Sequence, residues 1–166
     1  EPFMNTDRIL DRLESVRGRI ADAALRAGRE PASVTLVAVT KKRPPEQIRP
    51  LLEAGVSDLG ENYPQELWEK VDALADVPAP IRWHLIGHLQ GNKARRTFPL
   101  VRMIHAVDSL KLLRSLNELA AEHPDPPRAC LQVNTSGEDA KHGWSEAEIL
   151  ADAEAIAARH RLPIVG

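Results

Sequence analysis

The sequence predicts an α/β fold built on a parallel sheet, and three observations carry that reading. Short apolar, β-branched runs recur at intervals of roughly 20–25 residues, each followed by a segment with helical periodicity, the pattern of repeated βαβ units. The first run, residues 34–40, is almost continuously apolar, as a strand buried on both faces is. A polar or glycine-containing patch closes every run. In a (β/α) barrel those strand ends carry the working residues.

The elements follow in order. Ile9, Leu13, Val16, Ile20, Ala24 and Ala27 recur at steps of three and four, giving a first helix with Asn5 or Thr6 as its cap and Gly28 and Pro31 as its stop. After the run 34–40, Pro44 and Pro45 suit the opening of a helix through Ile48, Leu51 and Leu52 that ends at Gly55. A short strand at 58–60 precedes a helix through Leu67, Val71 and Leu74. Residues 81–86 form a third strand, with a short basic helix after Gly91. Residues 101–107 form a fourth, after which Asp108 caps a helix through Leu112, Leu113, Leu116 and Leu119. Residues 129–134 are a fifth strand. Ser145 and Glu148 make a capping box for a helix through Ile149, Ala153, Ile156 and Ala157, and 162–165 begins a sixth strand. The spacing alone fits an open or a closed sheet. No G-x-G-x-x-G follows the first strand, which counts against a dinucleotide-binding sheet.

Composition narrows the class further. The chain has 166 residues, enough for one domain with a sizeable core, and 22 basic against 24 acidic residues leave a formal charge of −2. No global field therefore selects nucleic acid or an anionic membrane. No run approaches the ~18 apolar residues of a membrane span. The single cysteine, Cys130, has no internal disulfide partner and suits a reducing cytoplasm, where a small buried hydrophobe is its expected role. Residues 1–3 precede Met4 and are read as an expression remnant, leaving one domain over 4–166.

Lys41 is the residue on which the chemistry turns. A lysine closing a buried strand has its amine at the rim of a core, where lost hydration disfavours the ammonium form and leaves a nucleophilic amine able to condense with an aldehyde. Arg43 would share its face if the backbone stays extended. On this segment alone, a solvated lysine opening a loop is the plainer reading. The other strand ends supply Glu61 and Asn62, then Gly87, His88 and Gln90, then Asp108, then Asn134 with the loop to Lys141 and His142.

Competing motifs carry less. His84 and His88 have the i, i+4 spacing of two zinc ligands, but strand and turn lie between them, so no metal site is read here. Lys93, Arg95 and Arg96 are a basic cluster better explained as a solvated helix face, and only 4% of the chain is aromatic for base stacking. His105 lies inside a strand and is expected as a packed core histidine. No G-x-S-x-G elbow or P-loop is present, which removes the best support for a serine hydrolase or an NTPase.

Five blocks occur in sequence order. They are Leu36-Val37-Ala38-Val39-Thr40-Lys41 with Pro44, Gly60-Glu61-Asn62-Tyr63 with Gln65-Glu66, the stretch from Trp83 to Lys93, His105-Ala106-Val107-Asp108, and Gln132-Val133-Asn134 with Lys141-His142-Gly143. Together they resemble the pyridoxal phosphate homeostasis protein family, the barrel domain of alanine racemase standing alone. The resemblance implies a (β/α)8 TIM barrel of the alanine racemase type. It implies pyridoxal 5′-phosphate as cofactor, held as a Schiff base on Lys41, with Asn62, His84, Gln90, Asn134 and Lys141 as further cofactor-binding positions and Lys141 as a second acceptor for the aldehyde. It implies vitamin B6 homeostasis rather than catalysis, with an amino-acid racemase as the alternative and a cofactor-free scaffold as a third reading. Partners would be the cofactor and pyridoxal phosphate-dependent apoenzymes, with no nucleic acid or membrane, and the protein a cytoplasmic monomer or homodimer.

The family's phosphate-binding loop and its arginine facing the pyridine nitrogen have no counterpart up to Gly166. An eight-stranded barrel takes about 250 residues, and six strands are recognisable here. The chain is therefore expected to be an incomplete barrel, part of a longer protein, with weakened cofactor affinity if it stands alone.

Overall fold

The computed structural model describes residues 6–138, 141–159 and 161–166, and the expected alternation is present. The helices are α1 (Thr6–Arg26), α2 (Pro45–Glu53), α3 (Pro64–Ala73), α4 (Gly91–Thr97), α5 (Leu110–Ala120), α6 (Glu146–Ala151) and α7 (Ala153–Ala157). The strands are β1 (Ala38–Val39), β2 (Asp58–Glu61), β3 (Arg82–Leu85), β4 (Val101–Val107) and β5 (Arg128–Leu131). They form one all-parallel sheet in the order β1-β2-β3-β4-β5. Sequential order without a reversal is the topology of a barrel wall; a doubly wound sheet would break it at a switch point. The sixth segment continues that wall. Ile164 bridges Ala129 in parallel, Ala129 N–H donates to Pro163 O at 2.8 Å, and Leu131 N–H donates to Gly166 O at 2.9 Å.

The two faces of the sheet differ. On the outer side, Ile48, Leu59, Leu67, Leu85, Phe98, Ile104, Leu113 and Leu116 are all fully buried between strands and helices. Burying each such side chain contributes about 1.5–3 kcal/mol before the entropy of ordering it is counted. On the inner side, a Cβ built on Gly60 would lie 3.2 Å from Val37 Cγ1 and 3.4 Å from Ile86 Cδ1, so these three positions share the barrel interior. That face is open, and Val39 on it is 52% exposed.

Several expectations are corrected. The first strand shrinks from 34–40 to Ala38–Val39, which among the described residues pair only with β2. Ser109, not Asp108, caps α5, its Oγ accepting from Leu112 N–H at 3.3 Å; Asp108 turns to a histidine instead. The last helix keeps its Ser145–Glu148 capping box but divides into α6 and α7 at Asp152, whose carboxylate accepts from Trp144 Nε1 at 2.9 Å. Cys130 and His105 are not packed among the helices. Both are half-buried on or beside the inner face, where burial raises the Cys130 thiol pKa. Asn5, one of the two expected caps of α1, lies outside the described residues.

Candidate functional site

The C-terminal ends of the strands gather the expected residues, beginning with the anchorage of Lys41. Thr40 Oγ1 donates to Glu61 Oε1 at 2.5 Å. The ammonium of Lys70, from α3, donates to the same Glu61 oxygen at 2.6 Å and to Thr40 O at 2.7 Å. Glu61 is fully buried and Lys70 is 6% exposed, so this is an ion pair away from water; both contacts fall on Oε1, and Glu61 Oε2 is buried with no hydrogen-bond partner among the described residues. Lys42 adopts φ 58, and its N–H donates to Glu66 Oε2 at 2.9 Å. That backbone hydrogen bond, with the nearby Lys70 charge, holds the Glu66 carboxyl below its usual pKa.

The end of β1 is thus clamped by its main chain on both sides of Lys41. With Thr40 turned toward α3, strand alternation carries Lys41 to the inner side, level with Asn62 in the β1–β2 register. Lys41 itself is exposed, as the plainer reading of its segment has it and unlike the desolvated amine of a buried strand end, and the inner face beside it is open. Nor does Arg43 share its extended face. The chain turns at Lys42, and Arg43 N–H closes back on Thr40 O at 3.0 Å.

The rim beyond Lys41 is formed by close backbone approach. A Cβ on Gly87 would fall 2.2 Å from Asn62 O, so only glycine lets the loop after β3 lie against the loop after β2. The cleft of about 480 Å³ there is lined by Asn62, Tyr63, His88, Gln90, Lys93 and His142, among others. His88 Nδ1 lies 2.6 Å from Asp108 Oδ2 and its ring stacks on His142, centroids 4.2 Å apart.

The remaining expected positions make contacts of their own within the protein. His84, in mid-strand, has both ring nitrogens engaged, Nε2 with Asp58 Oδ1 and Nδ1 with His105 Nε2, each at 2.9 Å. Asp58 as a carboxylate only accepts, so His84 Nε2 carries a proton, and with His84 neutral its Nδ1 accepts from His105 Nε2. Burial lowers the His105 pKa, and a proton on both His84 nitrogens acts in the same direction. Burial acts to raise the Asp58 pKa, but hydrogen bonds from Arg82 and His84 outweigh it, and the net shift is downward. His84 is therefore part of an internal chain below the rim, not a rim residue. Asn134 organises its own loop: Oδ1 accepts from Ser136 Oγ and Gly137 N–H, and Nδ2 donates to Glu138 O. Lys141 is exposed and paired with Glu138 Oε1 at 2.6 Å. In the basic cluster, Arg95 pairs with Glu122 and Arg96 lies over Trp68, the solvated face expected.

Lys70 was not singled out from the sequence, although a signal was there. It falls between Leu67, Val71 and Leu74 on the apolar stripe of α3, where a lysine must either spoil the face or find a buried partner. Asp108 and His142 carried no local sign that they would meet His88.

A parallel, sequentially wound wall with a lysine at the end of its first strand defines a (β/α)-barrel protein of the alanine racemase type. Residues 12–166 match the family described as alanine racemase, N-terminal domain. The chain is 42% identical over 148 residues to the pyridoxal phosphate homeostasis protein of Pseudomonas aeruginosa, spanning 89% of this chain and 64% of that relative. It is 35% identical over 159 residues to that of Escherichia coli, spanning 95% and 68%. PipY of Synechococcus elongatus, solved with and without pyridoxal phosphate, superposes with TM-score 0.75 at 38% identity over 89% of this chain and 68% of its own. The chain belongs to the pyridoxal phosphate homeostasis branch of the alanine racemase N-terminal-domain family. It spans about two thirds of the length of the relatives it matches.

Proposed function

We propose that this chain binds pyridoxal 5′-phosphate and serves vitamin B6 homeostasis in the cytoplasm, holding the cofactor as a Schiff base on Lys41 and releasing it to dependent apoenzymes. The observation that carries this reading is the clamp on Lys41. A buried Lys70–Glu61–Thr40 cluster fixes the backbone of the strand end while leaving the Lys41 amine accessible. A primary amine so placed suits an aldehyde, and the solved relative PipY carries this cofactor. When bound, the cofactor supplies that aldehyde. Asn62 and Gln90 line the adjoining cleft, and Lys141 offers a second amine on the loop after β5.

The test is borohydride reduction of the cofactor-loaded protein at its full natural length, followed by intact-mass and peptide analysis. One cofactor equivalent fixed at Lys41, and lost in Lys41→Ala, is expected. An adduct that survives Lys41→Ala at the same level overturns the assignment. Under this reading the protein produces no D-alanine from L-alanine beyond the cofactor's own background. A racemase needs a second acid–base residue, and Tyr63, the chain's one tyrosine, is 53% exposed at the rim.

A further inference from the structure

Three loops that the cofactor reading uses only as a wall bring together a second set of chemically matched groups. His88 follows β3, Asp108 follows β4, and His142 lies in the loop after β5. Each offers one ligand atom, and the three atoms lie within 4.8 Å of one another. We propose that His88, Asp108 and His142 form a binding site for a divalent transition-metal ion of the zinc class at the mouth of the barrel.

Two imidazoles and one carboxylate are a donor set for borderline metals, distinct from the all-oxygen sets that magnesium and calcium require. Metal–nitrogen and metal–oxygen bonds of about 2.0–2.2 Å place neighbouring ligands roughly 3–4 Å apart. His142 Nδ1 already stands 3.9 Å from Asp108 Oδ2. His88 Nδ1, at 2.6 Å, would move back by about 1 Å, and the two rings, stacked with planes 12° apart, would turn to aim both lone pairs at one ion, movements open to side chains 38% and 62% exposed.

The backbone beneath each ligand is fixed. Gly87 wedges the His88 loop against Asn62, and Gln132 Nε2 donates to His142 O at 2.8 Å. Gly143, at φ +123, has no room for a Cβ, which would fall 2.8 Å from Gln132 O. The Asp108 side chain is 8% exposed, so its charge faces the two imidazoles with little water to screen it. Three protein ligands leave at least one coordination position open to water or an oxygen donor, the arrangement of reactive rather than purely structural zinc sites. The site lies apart from the Lys41 amine in sequence and rests on none of the cofactor chemistry.

The experiment is a cobalt(II) titration of the protein at its full natural length, stripped with chelator and free of pyridoxal phosphate, followed by displacement with zinc. One saturable equivalent with visible ligand-field absorption is expected, displaced by stoichiometric zinc. His142→Gln is on an exposed loop residue and should fold normally by circular dichroism while weakening cobalt binding by about tenfold or more, at least the loss seen when a residue supporting a ligand is removed. His88→Gln should do the same. Cys130→Ser and His123→Gln, at other potential ligands, should bind as the parent does. Absence of a saturable equivalent, or full-strength binding in folded His142→Gln, overturns the proposal, as does loss in Cys130→Ser with both histidine variants unaffected. Because no cofactor is present, such a failure leaves the Lys41 reading standing.

Discussion

The two faces of the sheet were built under different rules. Toward the helices the strands bury leucine, isoleucine and phenylalanine, and an ionic cluster admitted there joins Glu61 Oε1 to Lys70 and Thr40, with Glu66 3.7 Å from the Lys70 ammonium. Toward the interior the same strands carry Asp58, Arg82, His84 and His105 around a cavity of about 400 Å³, with Val37 and Met103 between them. The outer face supplies cohesion, and its polar exception positions a strand end. The inner face and rim supply ionisable groups and the exposed Lys41 amine. A single substitution should thus cost stability on one face and chemistry on the other.

The largest effect is expected at the ionic cluster. Lys70→Met leaves the buried Glu61 carboxylate without its cation, which should destabilise the protein by about 3–5 kcal/mol in denaturant unfolding. Adding Glu61→Gln should recover a substantial part of that loss, since the stranded charge goes with it. If the double variant is no more stable than Lys70→Met, the cluster is not acting as a coupled pair. Next come matched truncations on the two faces. Leu113→Ala, at a fully buried outer position, should cost about 2–5 kcal/mol, whereas Val39→Ala, on the open inner face of this 166-residue chain, should stay within about 0.5 kcal/mol. Equal losses would show that the inner face is covered in solution.

Gly87→Ala is expected to cost less than the core changes but to be more informative about the rim. The added methyl would meet the Asn62 carbonyl at 2.2 Å, and backbone cannot yield as a flexible side chain does. A loss of about 1–3 kcal/mol with a weakened cofactor complex is the expected pair of results. Stability lost with binding intact would confine Gly87 to packing.

The fold was legible because its signal is periodic. Apolar runs alternating with helical stripes specify βαβ units, and Ser145–Glu148 announced its helix start. What failed depended on neighbours distant in the chain. The extent of β1 depends on its ladder partners, among the described residues β2 alone, which the residues 34–40 cannot report. For Lys41 the segment offered both a solvated residue opening a loop and a desolvated strand end, and only the fold shows it exposed. Asp108 looked like a cap, since Asp before a helix usually is one. Ser109 is next to it and takes that role, freeing Asp108 for His88. The His84–Asp58 and His88–Asp108 pairs each join different strands or strand ends, 26 and 20 residues apart in sequence, so no local spacing rule could find them.

The smallest expected effect concerns the internal histidine chain, and its sign follows from the direction of the shifts. Burial lowers the His105 pKa in the folded protein, so the unfolded chain binds the proton more readily. The neutral form therefore contributes stability in full above the unfolded histidine pKa of about 6.5, and this is lost as pH falls through the lower folded value. Asp58, whose pKa is also lowered on balance, acts in the same direction further down. Its contribution is present above the unfolded aspartate value of about 3.9 and lost below it. Unfolding midpoints measured between pH 7.5 and pH 5 should decline for the parent, and the decline should flatten in His105→Gln, which keeps a donor for His84 Nδ1 but cannot titrate. An unchanged slope in that variant would place the pH dependence on other groups and leave His105 a spacer between the strands. The inner face would then be chemically quieter than its cluster of ionisable side chains implies.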